Sequence, residues 1–282
     1  MLKKCTGLAH LMSNTILLIF EGEKTELDIF RSIEKNFFAF DQGATIIRAS
    51  FKGEIYQLWE RVKDDNFLDI VEILKERDNS DIKDLTRRQI SEVHLFFDHD
   101  AHSHSDVIPQ AEYNSYIEKM LQTFNSAFDR GKLWISYPMA EAIKHCKKDI
   151  NECFHDSMIA ISENTKYKEL VNNNSDFQDI KKLDNSAWYY LTAINIQRTY
   201  CLVNSNFKVI SNYEEIKEWF ESNTIIRLQI HENQVKKFII PKSEMVALSP
   251  FPLFLLNYFG SSLFNNIHCS ETLKNCSFFC YQ

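Results

Sequence analysis

Residues 15–20 (TILLIF) form a short apolar run that stops at Glu21 and Gly22, the pattern of a strand buried on both faces. The period then changes. After Thr25 and Glu26, the residues Leu27, Ile29, Phe30, Ile33, Phe37 and Phe38 recur at spacings of three and four, which predicts a helix with one apolar stripe. Asp41-Gln42-Gly43 breaks it, and residues 44–50 (ATIIRAS) read as a second strand. Gly53 opens a helical stretch with Ile55, Leu58, Trp59 and Val62 on one face, and another helix is expected over 67–77. A polar segment with Lys83, Arg87 and Arg88 precedes the third strand, 92–97 (EVHLFF), which ends in Asp98-His99-Asp100. Residues 111–128 return to helical spacing and stop at Gly131, a residue type that commonly ends helices. A fourth strand, 132–136 (KLWIS), leads through Tyr137-Pro138 into a helix from Met139 to about Lys148.

Strands alternating with helices predict an α/β domain over residues 14–148, a four-stranded parallel sheet flanked by helices. Ligands of such sheets bind outside the carboxyl ends of the strands. Glu21, Asp98 and Asp100 therefore fall on one rim. Beyond residue 150 strand signals fade: 152–162, 166–171, 186–202 and 213–221 look helical, and Val171–Ser175 reads as a polar linker. A mainly helical C-terminal domain is expected over 149–260. Within it Phe251–Phe259 is a dense aromatic segment ending at Gly260, read as a buried helix or, alternatively, a subunit or partner interface. The tail 261–282 carries no clear pattern.

Composition narrows the class. Of 282 residues, 44% are hydrophobic and 25% charged, the balance of a globular chain. Six glycines and five prolines leave little backbone punctuation, so regular elements with short connections should dominate. The formal charge of −7 repels phosphate overall, so a nucleic-acid partner would need a local basic patch or a metal. The apolar run 14–20 is too short to cross a bilayer, which argues against a membrane partner. Seven scattered cysteines fit a reduced, cytoplasmic protein.

The chemistry concentrates in carboxylates. Asp98 and Asp100 at a strand end either cap the following turn or hold a divalent cation, for which Mg²⁺ needs only a few hard oxygen ligands. Gly22 would let the chain turn tightly directly after Glu21. The segments FEGEKTE (Phe20–Glu26) and FFDHDAH (Phe96–His102) together resemble the two signature motifs of the Toprim domain. In that domain a glutamate after the first strand and a DxD after the third share metal. ISYPMAEAIKH (Ile135–His145) is similar to the strand-plus-proline stretch of OLD-like and RloB-like Toprim proteins. These are bacterial proteins, often nucleases of anti-phage defence modules, some of which work beside a partner ATPase.

The resemblance covers roughly residues 14–148 and implies roles. Glu21 matches the Toprim glutamate, Asp98 and Asp100 the DxD pair, and Glu26 the second acidic residue. Glu141 is a further outer ligand. Mg²⁺, with Mn²⁺ as a substitute, is the implied cofactor, and DNA or RNA the implied substrate. OLD-like nucleases also bring a lysine late in the chain, and no position here aligns with it; Lys144 and Lys24 stand in. Bound metal would activate water and relieve charge on a phosphodiester, making the chain a metal-dependent nuclease of anti-phage defence. Two other classes are open: a non-catalytic Toprim subunit of an ATPase complex, and a small-molecule metallophosphohydrolase using the histidine-rich loop. In that loop His99 and His102 are read as supporting the metal ligands or ligating Mn²⁺ or Zn²⁺ themselves, and His104 equally as facing water. His268, Cys269, Cys276 and Cys280 lack zinc-site spacing.

Overall fold

The computed structural model describes residues 15–39, 44–65, 68–77, 82–99, 109–148, 154–206, 208–221 and 225–269. Its centre is a sheet of five strands in the order β2-β1-β3-β5-β4. These are β1 (Thr15–Phe20), β2 (Thr45–Ser50), β3 (Glu92–Asp98), β4 (Asn125–Ser126) and β5 (Gly131–Ser136). The first four in that spatial order run parallel and β4 is antiparallel to β5. Helices α1 (Thr25–Ile33), α2 (Ile55–Val62), α3 (Ile70–Glu76) and α4 (Gln110–Thr123) connect the strands.

Register explains why β1, β3 and β5 read as continuous apolar runs. Phe20 lies beside Phe96, and Phe96 beside Trp134, so these rings share one sheet face. That face is covered from the far end of the chain by α10 (Pro250–Cys269). Phe251 stacks on Phe96 at 4.8 Å between ring centres, and Phe254 meets Phe30, Phe96 and Trp134. Phe97 alternates to the opposite face and meets Phe51 edge-on at 5.5 Å. With both faces covered, polar residues have no place inside the strands unless they are partnered. His94 shows this: it accepts from Trp134 Nε1 at 3.1 Å through Nδ1, leaving Nε2 toward Glu92 at 3.0 Å.

The C-terminal region is helical, with α5 (Asn164–Asn174), α6 (Asn185–Asn204), α7 (Glu214–Glu221), α8 (Ile225–Gln234) and a short α9 (Ile240–Lys242). Asp184 caps α6 by accepting from the Ala187 N–H at 2.8 Å. Two short strands, β6 (Met158–Ala160) and β7 (Glu244–Val246), pair antiparallel. The dense aromatic segment is buried, as expected of a packed helix. One contiguous cluster of buried side chains runs from Ile16 to Ile267.

Several local expectations change. The helix expected over 111–128 ends at Thr123, because Asn125 and Ser126 add β4 as a fifth strand. The helix expected over 139–148 is only a 3-10 turn, Ala140–Lys144, after a cis Tyr137–Pro138 bond. The turn closes by the Ala142 N–H to Met139 O at 2.8 Å and the His145 N–H to Ala142 O at 3.1 Å, and beyond it Arg198 Nη2 donates to His145 O at 2.6 Å and Tyr190 Oη to Lys147 O at 2.7 Å. Residues 152–162, expected helical, contain a 3-10 turn (Phe154–Ser157) and then β6, whose partner β7 lies far along the chain. The polar stretch 171–175 is chiefly the last turn of α5 rather than a linker. Residues 261–269 continue α10 past a bend at Gly260 instead of forming a separate tail.

Gly131 is required by its backbone. Its φ is +115°, and a Cβ there would stand 2.5 Å from Leu95 Cδ1. Gly131→Ala should therefore destabilise the protein by about 1–3 kcal/mol, read as a lower urea midpoint with an unchanged slope.

Candidate carboxylate centre

Parallel pairing of β1 with β3 brings their ends together. The Glu21 N–H donates to Phe96 O at 3.1 Å, continuing the ladder one residue past β1. The Glu21 side chain turns back, and its Oε2 accepts the Asp98 N–H at 2.8 Å. The two acidic segments predicted to share a rim are thus joined by a hydrogen bond.

Two further carboxylates close on this point. Glu26, in the first turn of α1, is buried and its Oε1 accepts the Gly22 N–H at 3.0 Å. The chain bends at Gly22, as expected, without a left-handed φ; a Cβ there would lie 3.1 Å from Glu26 Oε2, so its smallness makes room for that carboxylate. Glu141, in the 3-10 turn after β5, is 4% exposed. Its Oε1 accepts from Thr25 Oγ1 at 3.0 Å and from Lys168 Nζ at 2.6 Å.

Asp98 feels all of them. Its carboxyl accepts the Ala140 N–H, yet its pKa is raised well above the carboxylate range. Desolvation is the largest cause, followed by the charges of Glu21, Glu26 and Glu141. Asp98 therefore favours its neutral form beside the other three carboxylates. Among the described residues no three His, Cys, Asp or Glu side chains already form a ligand set around one point. The donors are nonetheless hard oxygens on a shared rim, the type that Mg²⁺ or Mn²⁺ takes, and a bound cation would favour the ionised form of Asp98.

Lys168 is the counter-ion that sequence reasoning missed. It lies on α5, where Tyr167 is fully buried and shares a hydrogen bond with His145 Nδ1 at 3.0 Å. Anchoring Tyr167 sets its neighbour beside Glu141, and that carboxylate raises the Lys168 pKa. Nothing in the local sequence signals this, since it depends on how α5 docks.

Other expected residues fall elsewhere. Lys144 is half-buried and donates to Asn172 Oδ1 at 2.7 Å, while burial lowers its pKa. His99 is fully buried, its ring packed among Tyr113, Tyr137 and His231 at 5.2–5.8 Å. Burial, then His231, pushes its pKa well below the usual histidine value. Asp100, His102 and His104 lie outside the described residues, as do Cys276, Cys280 and the side chains of His268 and Cys269. Among the described residues no helix is long and apolar enough to cross a membrane.

Compared with family models, with curated proteins and with solved structures, the chain matches none.

The charge balance has a measurable sign. A carboxyl whose pKa is raised on folding binds its proton more tightly in the folded state, so its contribution is full below the unfolded value. That contribution is lost as pH rises through the folded value. Above it, ionised Asp98 burdens the metal-free protein. Asp98→Asn should raise the melting temperature in chelator at pH 8 by roughly 2–4 °C, with the gain shrinking toward pH 4. A thermal melt series across pH reads both; an unchanged or lowered value at pH 8 would contradict the assigned electrostatics.

Proposed function

We propose that the protein is a divalent-metal-dependent phosphodiesterase acting on nucleic acid, built on a Toprim-type sheet. The convergence of Glu21, Glu26, Asp98 and Glu141 on the carboxyl rim of the parallel sheet carries this reading. Desolvation and the charges of Glu21, Glu26 and Glu141 disfavour ionised Asp98, and a cation at that point would offset them.

The residue roles follow from their surroundings. Glu21 and Asp98 hold the ion, with Asp100 joining them on the sequence reading, and Mg²⁺ is the expected species with Mn²⁺ as substitute. When bound, the ion supplies charge relief at the phosphoryl oxygens and lowers the pKa of water. Glu26 is held by the Gly22 N–H, which leaves its second oxygen to orient water or a second ion. Glu141 is already shared between Thr25 and Lys168, and serves as an outer ligand whose position those two partners set. Lys168 places positive charge at the edge of the site, where negative charge grows on the leaving group.

Purified protein with Mg²⁺ or Mn²⁺ should nick supercoiled plasmid or cleave a structured RNA, and chelator should stop it. Glu141→Gln should cost about 10–100-fold in activity at limiting metal, with partial recovery at high metal. Asp98→Ala with Asp100→Ala should abolish cleavage; activity that persists in that double variant refutes the assignment.

A further inference from the structure

A cavity of about 330 Å³ opens on the other side of Glu141. Its walls come from the start of α1, the 3-10 turn after β5, α5, and the chain at 178–181. Four lysines line it: Lys24, Lys144, Lys168 and Lys181. Three carboxylates line it too, and the structure shows how they are used. Glu141 pairs with Lys168 at 2.6 Å, Asp28 with Lys181 at 3.1 Å, and Asp179 with Lys182 at 2.8 Å.

Lys24 and Lys144 are left over. Lys24 makes no ion pair among the described residues, and Lys144 reaches only the neutral amide oxygen of Asn172. Lys24 is exposed and Lys144 half-buried; the charges of Glu141, Asp179 and Asp28 reach Lys144 across the cavity, yet its ammonium bonds only an amide, which leaves it open to an anion. In a chain of net charge −7 this is a local reversal of sign. Glu141 forms a wall of this cavity and also belongs to the carboxylate centre, so an anion seated here lies beside the proposed metal.

Among the described residues no aromatic side chain lines the cavity, so the stacking platform that grips bases is missing from these walls. Phosphate and sugar are what lysines and an asparagine amide can hold.

We propose that this cavity seats the substrate phosphate adjacent to the one cleaved, through Lys24 and Lys144, so that the protein grips a nucleic-acid strand by its backbone without reading sequence. The inference rests on the nuclease reading and names its substrate contact. It also supplies the local basic patch that an acidic nuclease needs.

The test measures binding of short fluorescent single-stranded oligonucleotides of unrelated sequence to the full chain by anisotropy, with Ca²⁺ and with chelator, over a salt series. Plasmid cleavage with Mg²⁺ is assayed in parallel. Lys24→Ala with Lys144→Ala should weaken binding about tenfold, equally for every sequence, and make the slope of log affinity against log salt shallower by about 0.7–1.4. Lys24→Arg with Lys144→Arg should restore both, and an unchanged melting temperature excludes a folding defect. Wild-type affinity and salt slope in the alanine variant, or a loss that depends on base sequence, overturns the proposal. The two failures separate. Carboxylate-dependent cleavage with lysine-independent binding removes the cavity and leaves the nuclease, whereas lysine-dependent binding without metal-dependent cleavage retains the phosphate seat and removes the nuclease.

Discussion

The register between β1 and β3 sets almost everything else. Pairing Phe20 with Phe96 aligns two rings on one face, and the next strand extends the row to Trp134. In the same alignment β3 runs two residues past the end of β1, within reach of the Glu21 side chain, which accepts the Asp98 N–H. A slip of one residue would turn the aromatic row outward and separate the acids. Core packing and the chemistry of the rim are therefore specified by one geometric choice, and burial on both faces is what enforces it.

Much of this is legible in the sequence because it depends on short-range pattern. The apolar runs at 15–20, 92–97 and 132–136 occupy strands, and the periodicity of 186–202 and 213–221 matches α6 and α7. The nearness of Glu21 to Asp98 follows from strand ends alone, whereas Glu26 comes from the first turn of α1 and Glu141 from the turn after β5. What escapes reading is set by partners distant in the chain. Residues 140–144 form a 3-10 turn rather than an α-helix, and the chain beyond them is held by Arg198 and Tyr190. Met158–Ala160 becomes a strand only because β7 supplies its pair. Lys168 reaches Glu141 through the docking of Tyr167, an event that no local periodicity records.

Electrostatically the site divides between the two regions of the chain. The acids come from strand ends and turns before residue 142, whereas Lys168 and Asn172 come from α5 after residue 163. Glu141 is the hinge between them, facing the crowded carboxylates on one side and the lysine-lined cavity on the other. On the proposed reading the acids would take a cation and the lysines an anion, with Glu141 common to both. Such pairing lets an acidic protein approach a polyanion without a basic surface.

The cover over the aromatic face has a consequence for how the chain is made. Phe20, Phe96 and Trp134 sit in the first half of the sequence, while Phe251 and Phe254, which close over them, are near its end. During synthesis the strands leave the ribosome long before α10 exists. The sheet then waits with one ring-lined face open to water, a state of high contact order and high aggregation risk. Closure of that face depends on the last helix, so the aromatic core is completed only when α10 docks.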